Sequence, residues 1–278
     1  MLDLLNYEFF QNALISTILI SICCGLLGTY IVARRMVFIS GGITHSSFGG
    51  LGIAYYLGLN PLIGATIFAL LSSYSIVLLG NKKIREDSLI GILWSVGMAI
   101  GVFFIYITPG FTPNLISYLF GDILTVSTNQ IILLGILCVI VIIFFKIMYR
   151  PIFYIAFDKE YSKTHSSMTH IVEYLMMTLI TLCIVLSIKL AGIILIISYL
   201  TLPQSIAGLF VKNFSKQFLL STILSFIGSI IGLFVSALTN IPSGATIVLV
   251  FLAIFIISYI ITHIINKNPK IIKTASSS

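Results

Sequence analysis

The sequence predicts an all-α protein, a polytopic bundle of transmembrane helices, and three observations carry that prediction. Hydrophobic residues make up 59% of the 278 positions and charged residues 8%, with a mean hydropathy of +1.15, which leaves too little polar surface to cover a water-soluble domain of this size. The apolar residues fall in runs of the length needed to cross a hydrocarbon core of about 30 Å, roughly 20 helical residues each. Lys and Arg gather in short clusters between those runs, so the formal charge of +7 and the pI of about 9.2 report membrane orientation rather than a nucleic-acid partner.

About nine spans follow in order on that length rule. The segment 1–10 carries Asp3 and Glu8 but no Lys or Arg, so it lacks the basic start of a cleaved signal peptide. The first span, about 11 to 33, ends at Arg34 and Arg35; the second, about 38 to 58, is rich in glycine and has the weakest hydropathy. Pro61 opens the third, to about 80, which Lys82, Lys83 and Arg85 close. The fourth, about 88 to 108, stops before Pro109, Gly110 and Pro113, and the fifth runs from about 129 to 149. The longest polar segment, 150–169, separates it from a sixth span at about 170 to 188. The seventh, about 191 to 210, contains Pro203 and Gln204 and reads as broken or re-entrant; the eighth and ninth occupy about 217 to 239 and 243 to 265, before a polar tail, 266–278. This alternation puts fourteen of the fifteen Lys and Arg on one side, with Lys189 the exception, so the N-terminus is expected outside and the C-terminus inside. An eight-span arrangement, in which the segment around Pro203 does not cross, stays open. The loops are too short to fold alone, so 1–278 reads as a single membrane domain.

Several motifs are absent from the sequence. It contains no GxxxxGK[ST] loop, no HExxH and no GxSxG, so nucleotide hydrolysis and intramembrane proteolysis have no visible machinery in this chain. Cys23, Cys24, Cys138 and Cys183 lie inside apolar runs without a CxxC pair and read as packing residues.

What remains is RRMVFISGGITHSSFGGLGIAYYLGLNP, residues 34–61, which puts His45 inside a span. An ionisable group at membrane depth is costly and faces protein or water. At 3.6 residues per turn, Gly41, His45, Gly49 and Gly52 share one face, which is either a close helix contact or the wall of a passage. Neutral imidazole binds divalent cations, or it donates to a carbonyl of a neighbouring helix. Thr44, Ser40, Ser46 and Ser47 place hydroxyls close by, to satisfy the ring or help strip water from an ion. Asp122, in YLFGDIL, either attracts cations at the outer mouth or caps a short helix. Gln204 puts an amide at membrane depth beside Pro203, where a backbone break needs protein or a water-filled cavity around it. Glu173, near the cytoplasmic face, can snorkel or pair with a loop lysine, and His165, His170 and His263 read as ordinary solvated or interfacial histidines. The inner segment with Asp158, Lys159, Glu160 and Lys163 is the most plausible docking point for a cytoplasmic partner.

Taken in order, the blocks ARRMVFISGGITHSSFGGLGIAYYLG, YLFGDIL, FDKEYSKTH, LIISYLTLPQSIAGLF and IPSGATIVLV resemble the ABC-3 metal permeases, membrane subunits of ABC importers for zinc, manganese or iron. The resemblance covers essentially the whole chain. It implies a type II ABC importer permease in a bacterial cytoplasmic membrane, paired with a second copy or a related permease. Two cytoplasmic ATP-binding subunits would hold the ATP, and an extracytoplasmic binding protein would deliver the metal. The chain itself would hold no resident cofactor, and its substrate would be a divalent ion, zinc before manganese or iron. His45 would contact the ion, Gly41, Thr44, Gly49 and Gln204 would line the path, and Asp158, Lys159, Glu160 and Lys163 would couple to the ATPase. Many members carry an Asp four residues before the His; here that position is Gly41, which removes a hard oxygen ligand. The competing reading is a stand-alone secondary carrier or channel, against which stands the lack of an acidic residue well inside a span.

Overall fold

The computed structural model describes residues 6–79, 85–109, 121, 123, 126–165, 168–239 and 241–267. Eleven α-helices run through them: α1 Glu8–Ala33, α2 Val37–Tyr56, α3 Pro61–Leu79, α4 Glu86–Ile107, α5 Thr128–Ile147, α6 Tyr149–Phe157, α7 Lys159–His165, α8 Thr169–Tyr199, α9 Leu202–Phe210, α10 Phe214–Thr239 and α11 Ser243–Lys267.

Local chemistry sets several of the boundaries. The α1–α2 turn is tight, with Arg35 in the left-handed region (φ 57°) and the Met36 N–H donating to the Ile31 carbonyl. At the other end of α2, Gly58 takes φ 67° and the Leu59 N–H closes onto the Ala54 carbonyl, a conformation that glycine adopts without Cβ strain. Pro61 then starts α3, where its missing N–H costs nothing, and the Asn60 side chain accepts from the Leu62 N–H. Ser127 and Gln130 form a capping box at the start of α5.

Eight helical segments among the described residues are long and apolar enough to cross a membrane. The expected count of nine is not reached on that criterion, and the segment that falls short is α2, not the one around Pro203. α2 has the length of a span, but glycine, serine, threonine and histidine stand where the others carry aliphatic side chains. It is enclosed instead: α2 packs along α3 and α4 to form one lobe, while α1, α5, α9, α10 and α11 form the other. The central helix α8 touches α2 and α3 on one side and α1, α5, α9 and α11 on the other. Around this core the outer helices turn large apolar side chains outward, such as Leu71, Phe103, Ile143, Leu219 and Ile257, the arrangement expected of a surface solvated by lipid.

The expected sixth and seventh spans are broken in two places. Gly192 departs from helical geometry inside α8 (φ 76°, ψ 165°), a backbone region that admits glycine and little else, and Gly121 packs directly against Ala191 and Gly192. The second break falls at Leu200 and Thr201, after which Pro203 occupies the first turn of α9, where a missing donor is harmless. Lys189, the expected outward cation, lies outside the described side chains.

Glycine sets the spacing of the α2 lobe. A Cβ on Gly97 of α4 would collide with the Ser46 backbone, and Gly50 of α2 and Gly64 of α3 exclude each other's side chains in the same way. Gly91, two turns earlier on α4, has no atom within 4 Å of its Cβ position. Gly97→Leu is therefore expected to separate α2 from α4 and cost about 1–3 kcal/mol or more, whereas Gly91→Ala stays near wild type. Thermal unfolding of both purified variants in detergent checks this, and equal stability would show that the interface does not depend on close approach.

Candidate metal-passage site

α2 carries His45 at its ninth residue of twenty, midway along the helix. The ring is half-buried and lies flat against the indole of Trp94 on α4, with centroids 4.1 Å apart and planes 13° from parallel. Its Nδ1 is buried and has no hydrogen-bond partner, so neither of the roles that would make the histidine a simple inter-helix tie is filled at that atom. A Cβ on Gly41 would stand 3.0 Å from Trp94 Cζ3, which places Gly41 and His45 under the same indole.

The strip of small residues faces α4 throughout. Built Cβ atoms on Gly49 and Gly52 would lie 2.9 and 2.5 Å from the Gly97 and Gly101 carbonyl oxygens. Gly49, read as lining a path, therefore meets helix backbone. Of the two roles expected of the hydroxyls, the structure does not show the first, satisfying the ring. Thr44 donates to the Ser40 carbonyl at 2.5 Å, Ser47 to Thr44 at 2.6 Å, Ser46 to Ile43 at 3.0 Å and Ser40 to Val37 at 2.7 Å. Each bonds within its own helix, the usual outlet for a short hydroxyl in a dry environment, and none serves the imidazole.

Gln204 is fully buried and stands against α1, not beside His45. Its Nε2 donates to the Cys24 carbonyl at 2.7 Å and to the Tyr199 carbonyl at 3.0 Å, so the amide takes up a carbonyl released at the α8 break and ties α9 to α1. Asp122 lies outside the described residues; its neighbours Gly121 and Ile123 are buried. The four cysteines are buried and free, with Cys24 and Cys183 sulfurs 4.0 Å apart. His170 and His263 are exposed, the latter stacked on Tyr259; the His165 side chain lies outside the described ones. Among the described residues no group of three His, Cys, Asp or Glu side chains is placed to hold a metal ion.

At the end of the bundle that carries Arg34, the segment expected to couple is two short helices, α6 and α7. The Asp158 carboxylate accepts from the Tyr161 N–H at 2.9 Å and starts α7. Lys163 pairs with exposed Glu160 at 2.7 Å. Lys159 turns inward to Glu173 on α8 at 2.5 Å, and Arg34 reaches the same carboxylate at 3.7 Å while donating to the Ile155 carbonyl. Glu173 is 5% exposed, so this triad joins α1, α6, α7 and α8 through one buried carboxylate. Beside it, Phe157 and Tyr161 are exposed. At the opposite end, a cleft of about 440 Å³ opens between the two lobes, lined in part by Tyr55, Asn60, Ser127, Asn129 and Gln130.

The model of the ABC 3 transport family matches residues 6–262. An uncharacterised membrane protein of Synechocystis sp. is 40% identical over 214 residues, 77% of this chain and 76% of that protein. A manganese transport system membrane protein of Halalkalibacterium halodurans is 32% identical over 209 residues, covering 74% and 70%. Among solved structures, PsaBC from Streptococcus pneumoniae in complex with Fab aligns with a TM-score of 0.83 at 30% identity, covering 93% of this chain and 94% of the other.

The triad generates its own prediction. Glu173→Gln leaves two largely buried cations without a counter-charge, a change that costs about 3–5 kcal/mol in buried pairs. Thermal unfolding is expected to show that loss, and Lys159→Met added to Glu173→Gln is expected to recover part of it. No loss in the single variant would mean the carboxylate is not a structural anchor.

Proposed function

Since the chain belongs to the ABC 3 transport family, we propose that it is the membrane-spanning permease subunit of an ATP-driven importer that passes a divalent metal ion to the cytoplasm. The observation that carries this reading is His45. Among the described side chains it is the one acid, base or imidazole in the middle of a membrane-length helix, and its buried Nδ1 is not consumed by a helix contact. A single neutral nitrogen gives an ion a weak and brief contact, which suits passage better than storage.

The partners follow from what the chain lacks and exposes. It has no phosphate-binding loop, so hydrolysis is assigned to two cytoplasmic ATP-binding subunits, docked on α6 and α7 where Phe157 and Tyr161 are exposed beside Asp158, Glu160 and Lys163. The Glu173 triad would pass their movement into α8. The margin of α4 beside His45 is open, with Gly91, Trp94 and Ser95 exposed, and a second permease copy is proposed to close it. An extracytoplasmic binding protein would load the ion at the opposite end, where the cleft between the lobes opens. The end that carries Arg34, Arg85, Lys159 and Lys212 is assigned to the cytoplasm; counting α2 as a crossing then puts the N-terminus outside. The imidazole favours zinc on donor chemistry, whereas the name of the Halalkalibacterium relative favours manganese.

Uptake in cells starved of zinc, manganese or iron in turn tests the reading. Wild-type chain expressed with its ATPase is expected to restore uptake of one metal, and His45→Ala to abolish it with normal amounts of protein in the membrane. Full uptake of every metal by His45→Ala would remove the histidine from the path.

A further inference from the structure

We propose that Trp94 is a positioning residue for the His45 passage, an inference that rests on the transport reading above. Trp94 is the chain's single tryptophan, and its indole lies parallel to the imidazole at 4.1 Å. An imidazole binds a cation in the plane of its ring, through a nitrogen lone pair. A partner laid on the flat face therefore stops the ring from turning without occupying the direction from which an ion arrives. Nδ1 is sealed inside the protein with no partner, so the fixed ring offers the other nitrogen, Nε2, as the atom that meets the ion.

Gly41 completes the seat. Its Cβ position lies 3.0 Å from Cζ3 of the indole, tight enough that a side chain there would press on the ring, and its absence lets the indole extend across both residues. Trp94 itself is 36% exposed and faces the open margin of α4, so the aromatic face also stands beside the route an ion would take, where it attracts positive charge. Trp94 holds the imidazole edge-on to the path and supplies an aromatic wall where Gly41 offers no carboxylate.

Two substitutions separate this role from filling space. Trp94→Phe keeps a stackable ring and is expected to retain uptake within about threefold, while Trp94→Leu keeps apolar bulk without a π face and is expected to lose about tenfold or more, as misorientation of a reacting group does. Equal uptake by the two variants overturns the proposal. A second measurement is independent of turnover: emission of the single tryptophan in the purified full-length permease in nanodiscs, titrated with zinc alone. The emission is expected to shift with zinc in wild type and not in His45→Ala, and an unresponsive wild type contradicts the stacked site. Uptake lost in His45→Ala but untouched in Trp94→Leu overturns this inference alone, and absence of wild-type uptake for all three metals overturns the transport reading together with it.

Discussion

The structure is organised by the need to keep α2 out of lipid. A helix of span length that carries an imidazole, several hydroxyls and a high share of glycine gains little from hydrocarbon, and its histidine would be costly there. Enclosure removes the cost, but only if neighbours come close enough to leave no void. Glycine makes that possible on two sides, at Gly50 against Gly64 of α3 and along Gly42, Gly49 and Gly52 against α4. The hydroxyls then satisfy themselves within their own helix. What this packing leaves over is the end near Gly41, where the wide indole of Trp94 takes the place of a helix backbone and the imidazole keeps an edge free.

α8 connects that lobe to the remainder of the chain and to the membrane surface. At the basic end, Glu173 holds Arg34 and Lys159, so α7 cannot shift without pulling on a buried charge network. At the far end, Gly192 interrupts the helix where Gly121 packs against it. On the proposed coupling, a push on α6 and α7 would reach α8 through Glu173, and α8 runs from there to the backbone break at Gly192. The break at Leu200 and Thr201 adds a second joint, and the Gln204 amide keeps it tied to α1.

Much of the fold was legible in the sequence because hydropathy and length report a bilayer directly. The helix boundaries agree to within a few residues except between the sixth and seventh spans, where the helix from Thr169 runs on to Tyr199, and Pro61, Pro203 and Ser127 sit where their backbone chemistry puts them. α2 was legible as a helix and as the place of interest, while its shortfall in hydropathy is what lowers the count of apolar spans to eight. The strip of Gly41, His45, Gly49 and Gly52 could not be resolved from sequence, since close packing and a passage use the same small residues. Trp94 was missed because it lies on another helix, read there as one apolar residue among many. Its being the only tryptophan in a chain rich in Ile and Leu was the available signal. Gln204 was equally ambiguous: an amide at membrane depth serves a passage or a broken helix, and only the structure shows its bonds to the Cys24 and Tyr199 carbonyls. For Glu173 the sequence left snorkelling and pairing with a loop lysine both open, since both suit a carboxylate at the membrane edge, and the structure shows the pair with Lys159.

The central claim is that position 45 borders an aqueous route through protein. Cysteine accessibility tests it most directly, using His45→Cys in a background with the four native cysteines replaced, and Val102→Cys on the outward apolar face of α4 as control, in the assembled transporter in membranes. The account predicts that a charged, membrane-impermeant thiol reagent modifies position 45 and that the transported metal protects it, while position 102 remains unmodified. A thiol at position 45 that resists the reagent from both faces of the membrane, in resting and in ATP-driven transporter, would contradict it.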